Sequence, residues 1–150
     1  MNILVVEDEL LVAMDIEAIL SPLASRILYA DGTAQALEIA GREPVDLALL
    51  DLRLKFGDSG LALAELLLEH HSIPSVFITA NADAASYASA FALGVLPKPF
   101  SPLELLGTIY AVREILRGEP PSALPERLTL YSDGRVLAPS AEPESGRRSA

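Results

Sequence analysis

Hydrophobic and polar positions follow two different periods along residues 1–118. Short apolar runs predict five β-strands: Ile3–Val6, Arg26–Ala30, Val45–Leu50, Ser75–Thr79 and Val95–Leu96. Apolar residues at three- and four-residue spacing, or alanine-rich stretches, predict five intervening helices: Leu10–Leu20, Thr33–Ala40, Leu61–Leu68, Asp83–Leu93 and Leu103–Leu116. A strand followed by a helix, repeated five times, predicts an α/β fold with a five-stranded parallel, doubly wound sheet and helices on both faces.

Two helix starts carry capping signals. Asp31 or Thr33 can open the second helix. Ser101 is followed by Pro102 and, three positions on, by Glu104, the pattern of a capping box with proline at the first helical position. The fifth helix is therefore expected to begin at this point.

The amino-acid composition of the chain changes after Leu116. We expect one domain over residues 1–118 and a linker and tail over 119–150, since this stretch is rich in Pro, Ser, Glu and Arg. Two β-prone runs flank Asp133 and Gly134, which predicts a possible β-hairpin over 127–138. Two interpretations stay open: the tail is inert, or it pairs with an exposed sheet edge of this chain, a second copy or a partner.

Composition narrows the class of protein. The chain has 150 residues, 51% of them hydrophobic, and a net charge of −10, which disfavours non-specific nucleic-acid binding. The absence of cysteine excludes disulfides, thiolate catalysis and Cys-ligated zinc. The start of the sequence lacks the basic residues of a signal peptide, and no apolar run reaches the length of a membrane span, so we expect a cytoplasmic protein.

Polar residues follow four of the predicted strands. Glu7 and Asp8 follow the first, Asp51 follows the third, Thr79 ends the fourth and Lys98 follows the fifth. Ligands of open α/β sheets bind at the carboxyl ends of the strands, which share one edge. The sequence therefore predicts a pocket with several carboxylates, one hydroxyl and one ammonium.

This set of groups suits phosphoryl chemistry. Clustered carboxylates repel one another unless a cation neutralises them, and oxygen ligands of this kind favour Mg²⁺. Asp51 can then act as a nucleophile and form an acyl phosphate. Thr79 can hydrogen-bond a phosphoryl oxygen, while Lys98, one of only two lysines and held between Pro97 and Pro99, can pair with Asp51 or with the phosphoryl group.

Four fragments of the sequence resemble the receiver domain of bacterial two-component response regulators. They are VVEDE, LALLDLRL, VFITA and LPKPF, in this order and at the ends of predicted strands. The resemblance covers about residues 1–118 and implies a flavodoxin-like fold. It also implies a cytoplasmic phosphoprotein that uses Mg²⁺ and takes its phosphoryl group from a sensor histidine kinase or a histidine phosphotransfer protein.

Carried over by position, the resemblance assigns a role to each residue of the pocket. Asp51 would be the phosphorylated residue, Thr79 the switch hydroxyl and Lys98 the cation. The metal would be held by Glu7, Asp8, Asp51 and the backbone carbonyl of Arg53. The peptide between Lys98 and Pro99 would be cis, as in many members.

Some residues depart from the family pattern and leave alternatives open. Val95 stands where many receivers carry a Tyr or Phe, which favours a second hypothesis, a receiver-like binding module that works without phosphorylation. A third hypothesis, an aspartyl-phosphate phosphatase, usually needs an acid where this chain has Arg53. The leading interpretation is a stand-alone regulator, not a turnover enzyme, without direct DNA or membrane binding. Its output would be contact with a downstream protein, with a homodimer formed through residues 83–116, the tail or both.

Overall fold

The computed structural model describes residues 1–131. They form one mixed sheet with helices on both sides. The strand order is β2-β1-β3-β4-β5-β6. The first five strands pair in parallel, as predicted, and the sixth pairs antiparallel with β5. The strand bounds are β1 Asn2–Val6, β2 Arg26–Ala30, β3 Leu47–Leu50, β4 Ser75–Thr79, β5 Gly94–Pro97 and β6 Thr129–Leu130.

Within residues 1–131, five α-helices flank this sheet in two layers. Their bounds are α1 Leu10–Leu20, α2 Thr33–Arg42, α3 Gly60–His71, α4 Ala82–Ala85 and α5 Pro102–Leu116. Helices α1 and α5 pack on one face of the sheet, and α2, α3 and α4 pack on the other. Strands β3 and β4 are buried along their whole length because both faces are covered, which explains their nearly continuous apolar sequence.

The two predicted helix starts differ in outcome. The capping box of α5 is present: the Ser101 hydroxyl accepts from the Glu104 N–H at 3.1 Å, and the Glu104 carboxylate accepts from the Ser101 N–H at 3.1 Å. Neither Asp31 nor Thr33 caps α2. Its N-cap is Gly32, and the carboxylate of Asp58, distant in sequence, accepts from the Thr33 N–H at 3.0 Å.

The fourth helix is shorter than the predicted range 83–93. It spans Ala82–Ala85 and continues as a 3₁₀ turn over Ser86–Ala88. The Ser86 hydroxyl donates to the Asp83 carbonyl at 2.7 Å. Such local side-chain bonds compete with the helical backbone ladder, which an alanine-based propensity does not take into account.

The chain folds back over α5 after Gly118 and ends the sheet with β6. We call residues 119–131 the strap. Within it, Thr129 and Leu130 pair with Val95 and Gly94. This is the pairing with an edge of the chain's own sheet that the sequence left open. The hairpin predicted over 127–138 lies in part outside the described residues, as do its Asp133, Gly134 and second arm.

Among residues 1–131, no helix combines the length and apolar character that crossing a membrane requires.

Candidate functional site

The predicted pocket lies at the carboxyl edge of the parallel strands. Backbone hydrogen bonds continue past the strand ends and fix its members. The Glu7 N–H donates to the Ala30 carbonyl at 3.1 Å, the Asp51 N–H to Val6 at 3.1 Å and the Lys98 N–H to Thr79 at 2.8 Å. Each side chain is therefore positioned by the neighbouring strand.

Lys98 lies at the centre of this arrangement and bridges two carboxylates. Its Nζ donates to Glu7 Oε2 at 2.7 Å and to Asp51 Oδ2 at 3.0 Å. The Lys98 side chain is only 17% exposed and that of Glu7 is 2% exposed. The sequence predicted the contact with Asp51 but not the shorter one with Glu7, since spacing alone does not tell which acid meets the lysine.

Burial and pairing act in opposite directions on these charges. Burial raises the pKa of Glu7 above its ordinary value, although the hydrogen bond from Lys98 opposes the rise. Burial alone would lower the pKa of Lys98, but its hydrogen bonds with Glu7 and Asp51 outweigh that effect and raise the pKa. Lys98 therefore stays charged, and the peptide that follows it, Lys98–Pro99, is cis as expected.

Three carboxylates converge beside Lys98. Glu7, Asp8 and Asp51 each place one oxygen within 4.8 Å of the others. Asp51 Oδ1 also accepts from the Leu52 N–H at 2.7 Å, which fixes the orientation of this carboxylate. A compact set of acidic oxygens, in part open to solvent, fits a hard cation such as Mg²⁺.

The fourth predicted ligand group, the backbone carbonyl of Arg53, belongs to the loop after β3. Arg53 forms an isolated antiparallel bridge with Ser59, and the flanking bonds run from Leu54 N–H to the Asp58 carbonyl at 3.1 Å and from Gly60 N–H to the Leu52 carbonyl at 2.8 Å. Neither bond uses the Arg53 carbonyl. Arg53 lines the same cavity as Asp51, so the position of its backbone is compatible with the predicted role.

Thr79 borders the same cavity from the end of β4. The cavity has a volume of about 370 Å³ and is lined by Asp8, Glu9, Asp51, Arg53, Thr79, Ala80, Asn81 and Lys98. Thr79 is a buried residue, and its hydroxyl accepts from the Asn81 N–H at 3.1 Å. Its proton can therefore be donated to a group bound at Asp51, while its oxygen stays tied to the loop that leads into α4.

Two supporting residues were not assigned to the site from the sequence. A side chain on Gly60 would collide with the carbonyl of Asp51, so only glycine lets α3 begin this close to Asp51. Asp58 anchors the loop after β3 to the start of α2. The sequence signal for both is the string from Gly57 to Gly60, a composition typical of a turn that leads into a helix. At the start of α3 the Ser59 hydroxyl accepts from the Ala62 N–H.

The doubly wound sheet, with its acidic residues and lysine at the carboxyl edge, defines a class of α/β signalling domain. Residues 3–110 match the response regulator receiver domain family. The chain belongs to this family.

Relatives agree with this assignment. The chain is 35% identical over 114 residues to the transcriptional regulatory protein YvrH of Bacillus subtilis, which covers 73% of this chain and 48% of YvrH. Of the solved structures, the receiver domain of NtrX from Brucella abortus is 31% identical with a TM-score of 0.63, over 71% of this chain and 93% of that one. A CheY-like receiver protein from Methanospirillum hungatei is 26% identical with a TM-score of 0.66, over 72% and 89%. The chain spans about half the length of YvrH.

Proposed function

We propose that this chain is a cytoplasmic phosphoacceptor that receives a phosphoryl group on Asp51 from a histidine kinase or a histidine phosphotransfer protein. The observation that supports this most is the contact of Lys98 with Asp51 at 3.0 Å inside a cluster of three carboxylates. Lys98 pairs with Glu7 and Asp51, but one ammonium does not balance the charge of three carboxylates. A cation site next to a nucleophilic carboxylate accounts for the whole set.

The reaction is a single displacement at phosphorus. An oxygen of the Asp51 carboxylate attacks the phosphorus of a phosphohistidine, the new O–P bond forms, and the N–P bond breaks. The electron pair of that bond returns to the imidazole of the donor, and Asp51 becomes an acyl phosphate. Hydrolysis returns the carboxylate and inorganic phosphate, so the chain changes its own state and is not a turnover enzyme.

Each residue of the pocket has a defined part in this step. Lys98 neutralises charge on Asp51 and then on the phosphoryl oxygens, and Thr79 donates its hydroxyl proton to one of those oxygens. Glu7, Asp8, Asp51 and the Arg53 carbonyl would hold Mg²⁺. When bound, the ion supplies positive charge that offsets repulsion between the carboxylates and the incoming phosphoryl group.

Contact with a downstream protein is the output that we propose. Relatives such as YvrH are named for transcriptional regulation, and that activity is a property of those longer proteins. Homodimerisation through residues 83–116 or through the tail stays part of the proposal. The strap already occupies part of that face, because β6 pairs with β5 and Arg127 contacts Glu104 of α5.

The test is the mass of the intact protein after incubation with Mg²⁺ and acetyl phosphate. We expect one phosphoryl adduct on the wild type and none on Asp51→Asn. Asp46→Asn is the matched control, since Asp46 lies beyond the opposite end of β3, where its carboxylate accepts from the Asn2 N–H at 2.6 Å. Asp46→Asn should keep the adduct. An adduct that persists on Asp51→Asn would contradict the assignment.

One observation favours a second candidate, a receiver-like binding module that works without phosphorylation. Val95 is buried in β5 and offers no aromatic ring that could change position with the state of Thr79. This candidate predicts no adduct on a folded wild-type protein. The same mass measurement therefore separates the two candidates.

A further inference from the structure

The strap is held on the domain along most of its length. The carboxylate of Glu114 accepts hydrogen bonds from both the N–H and the hydroxyl of Ser122. Arg127 Nη1 donates to the Pro99 carbonyl at 2.7 Å and to Glu104 Oε2 at 3.2 Å. Leu128 is buried in the core layer formed with α1 and α5. These contacts make the strap a specific part of the fold.

Two glycines of the domain leave room for the strap. A side chain on Gly94 in β5 would collide with the carbonyl of Thr129, and its three nearest neighbours all belong to the strap. A Cβ on Gly107 in α5 would lie 2.9 Å from Cγ of Pro125, again with only strap atoms nearby. Both positions therefore offer a way to displace the strap without touching the Asp51 site.

Tyr131 is the last strap residue that the structure describes. Its ring is packed in the core, but its hydroxyl lacks a hydrogen bond within residues 1–131. Its N–H donates to the Leu93 carbonyl at 2.8 Å, and its side chain joins the core layer that contains Ala88 and Val95. The residue is 8% exposed, yet its buried hydroxyl has no hydrogen-bond partner in residues 1–131. Burial of this hydroxyl raises the pKa of Tyr131 to about 12. A buried hydroxyl without a partner costs free energy, so within residues 1–131 this end of the strap is held by the backbone bond to Leu93 and by packing.

Two strap contacts involve neighbours of residues that line the Asp51 site. Arg127 binds the carbonyl of Pro99, the residue directly after Lys98. Thr79 is tied to Asn81, the N-cap of α4, and residues of α4 pack in the same core layer as Tyr131. A movement of Lys98 and Thr79 toward a phosphoryl group would therefore act on both anchors of the strap.

We propose that the strap is an intramolecular cover of the β5 edge and the α5 face, and that phosphorylation of Asp51 loosens it. This inference rests on the proposed function of Asp51. Release is favoured over tightening because β6 has only two residues and the Tyr131 hydroxyl has no partner within the described residues 1–131, so the strap is less firmly held than the parallel strands. Its release uncovers a sheet edge to which an extended segment can add.

Hydrogen exchange of peptides from residues 119–131 tests the proposal, with the intact mass of every sample recorded. Acetyl phosphate and Mg²⁺ should speed exchange of these amides at least about fivefold in the wild type, the lower range of typical coupling between two sites. Exchange in Asp51→Asn should not change. Peptides from β2 serve as the internal reference, since this strand lies at the other edge of the sheet.

Displacement of the strap should act on phosphorylation in return, because coupling between two sites is reciprocal. Gly94→Ala should show fast exchange in the strap without acetyl phosphate and a larger phosphorylated fraction at limiting acetyl phosphate. Gly107→Ala provides a second displacement should Gly94→Ala fail to fold. Gly41→Ala is the matched control, as a Cβ there meets nothing within 4 Å.

The outcomes separate the two proposals. An adduct on the wild type with faster strap exchange supports both. An adduct with unchanged or slower strap exchange overturns the strap proposal and leaves the phosphoacceptor function standing. The absence of any adduct on a folded protein overturns the proposed function and the strap proposal with it.

Discussion

The carboxyl edge of the sheet and the strap are neighbours that depend on different kinds of residue. The edge is polar, and each of its groups follows a buried strand that fixes its position, as Asp51 follows β3. The strap is held by scattered apolar and polar contacts with α5 and β5, such as those of Leu128 and Arg127. The comparison teaches that the reactive groups are positioned by the ends of paired parallel strands, whereas the strap is positioned by a short β6 and by side-chain contacts with α5 and β5.

The largest expected effect concerns Lys98, which bridges Glu7 and Asp51 at the carboxyl edge of the sheet. Lys98→Met would leave Glu7 and Asp51 close together without their shared cation. We expect phosphorylation by acetyl phosphate to slow on the order of 100-fold, the usual cost of removing one charge-stabilising group. The free energy of unfolding should fall by roughly 1–3 kcal/mol, a value reduced for partial exposure of the pair. Timed intact-mass and urea-unfolding measurements check both.

Lys55→Met is the matched control for that substitution. Lys55 is the other lysine of the chain, and its ion pair with Asp31, at 3.1 Å, is exposed. Exposed pairs contribute little to stability. Equal slowing by both substitutions would show that the effect of Lys98→Met comes from net charge and not from its place in the pocket.

The next effect concerns the strap and appears at high pH. Tyr131 has its pKa raised from 10.0 to about 12 by burial, so the packing of its neutral ring stabilises the fold fully below pH 10 and is lost as pH rises through 12. This shift corresponds to a loss on the order of 2 kcal/mol in the free energy of unfolding. Denaturant unfolding between pH 9 and 12 should show that Tyr131→Phe lacks this loss. Parallel pH profiles for the two proteins would show that Tyr131 does not titrate from a buried position.

The smallest effect concerns Thr79, which connects the two regions. Thr79→Ala removes the hydroxyl that we expect to bind the phosphoryl group, whereas Thr79→Ser keeps it. One hydrogen bond to a charged group contributes about 1.5 kcal/mol or more. In the alanine variant we therefore expect the acyl phosphate to form about tenfold more slowly or to decay about tenfold faster. Timed mass measurements of adduct formation and decay check this. Identical loss in both variants would assign Thr79 a packing role.

The sequence allowed most of the fold and nearly all of the site to be predicted. The five parallel strands gave clear apolar runs, and the polar residues after them could be placed at one edge because parallel strands share their direction. The partnership of Lys98 with Glu7 could not be predicted, as three acids follow β1 and side-chain geometry decides between them. The roles of Gly60 and Asp58 could not be predicted, because Gly60 lies against Asp51 and Asp58 bonds to Thr33 only once the loop after β3 has folded.

The strap could be predicted only in part. The β-prone residues before Tyr131 indicated a strand, and pairing with a sheet edge was one open interpretation. That β5 is this edge depends on Gly94, whose missing side chain admits the strap and whose role is visible only once Thr129 lies against it. The short α4 likewise reflects the bond of Ser86 to the backbone, which alanine content does not predict.

The central claim is that Asp51 alone among the clustered acids accepts the phosphoryl group. The most direct measurement is localisation of the adduct by peptide mass spectrometry after treatment of the wild-type protein with acetyl phosphate and Mg²⁺. The account predicts a single phosphoryl group on the peptide that contains Asp51. A phosphoryl group on the peptide that contains Glu7 and Asp8 would contradict it.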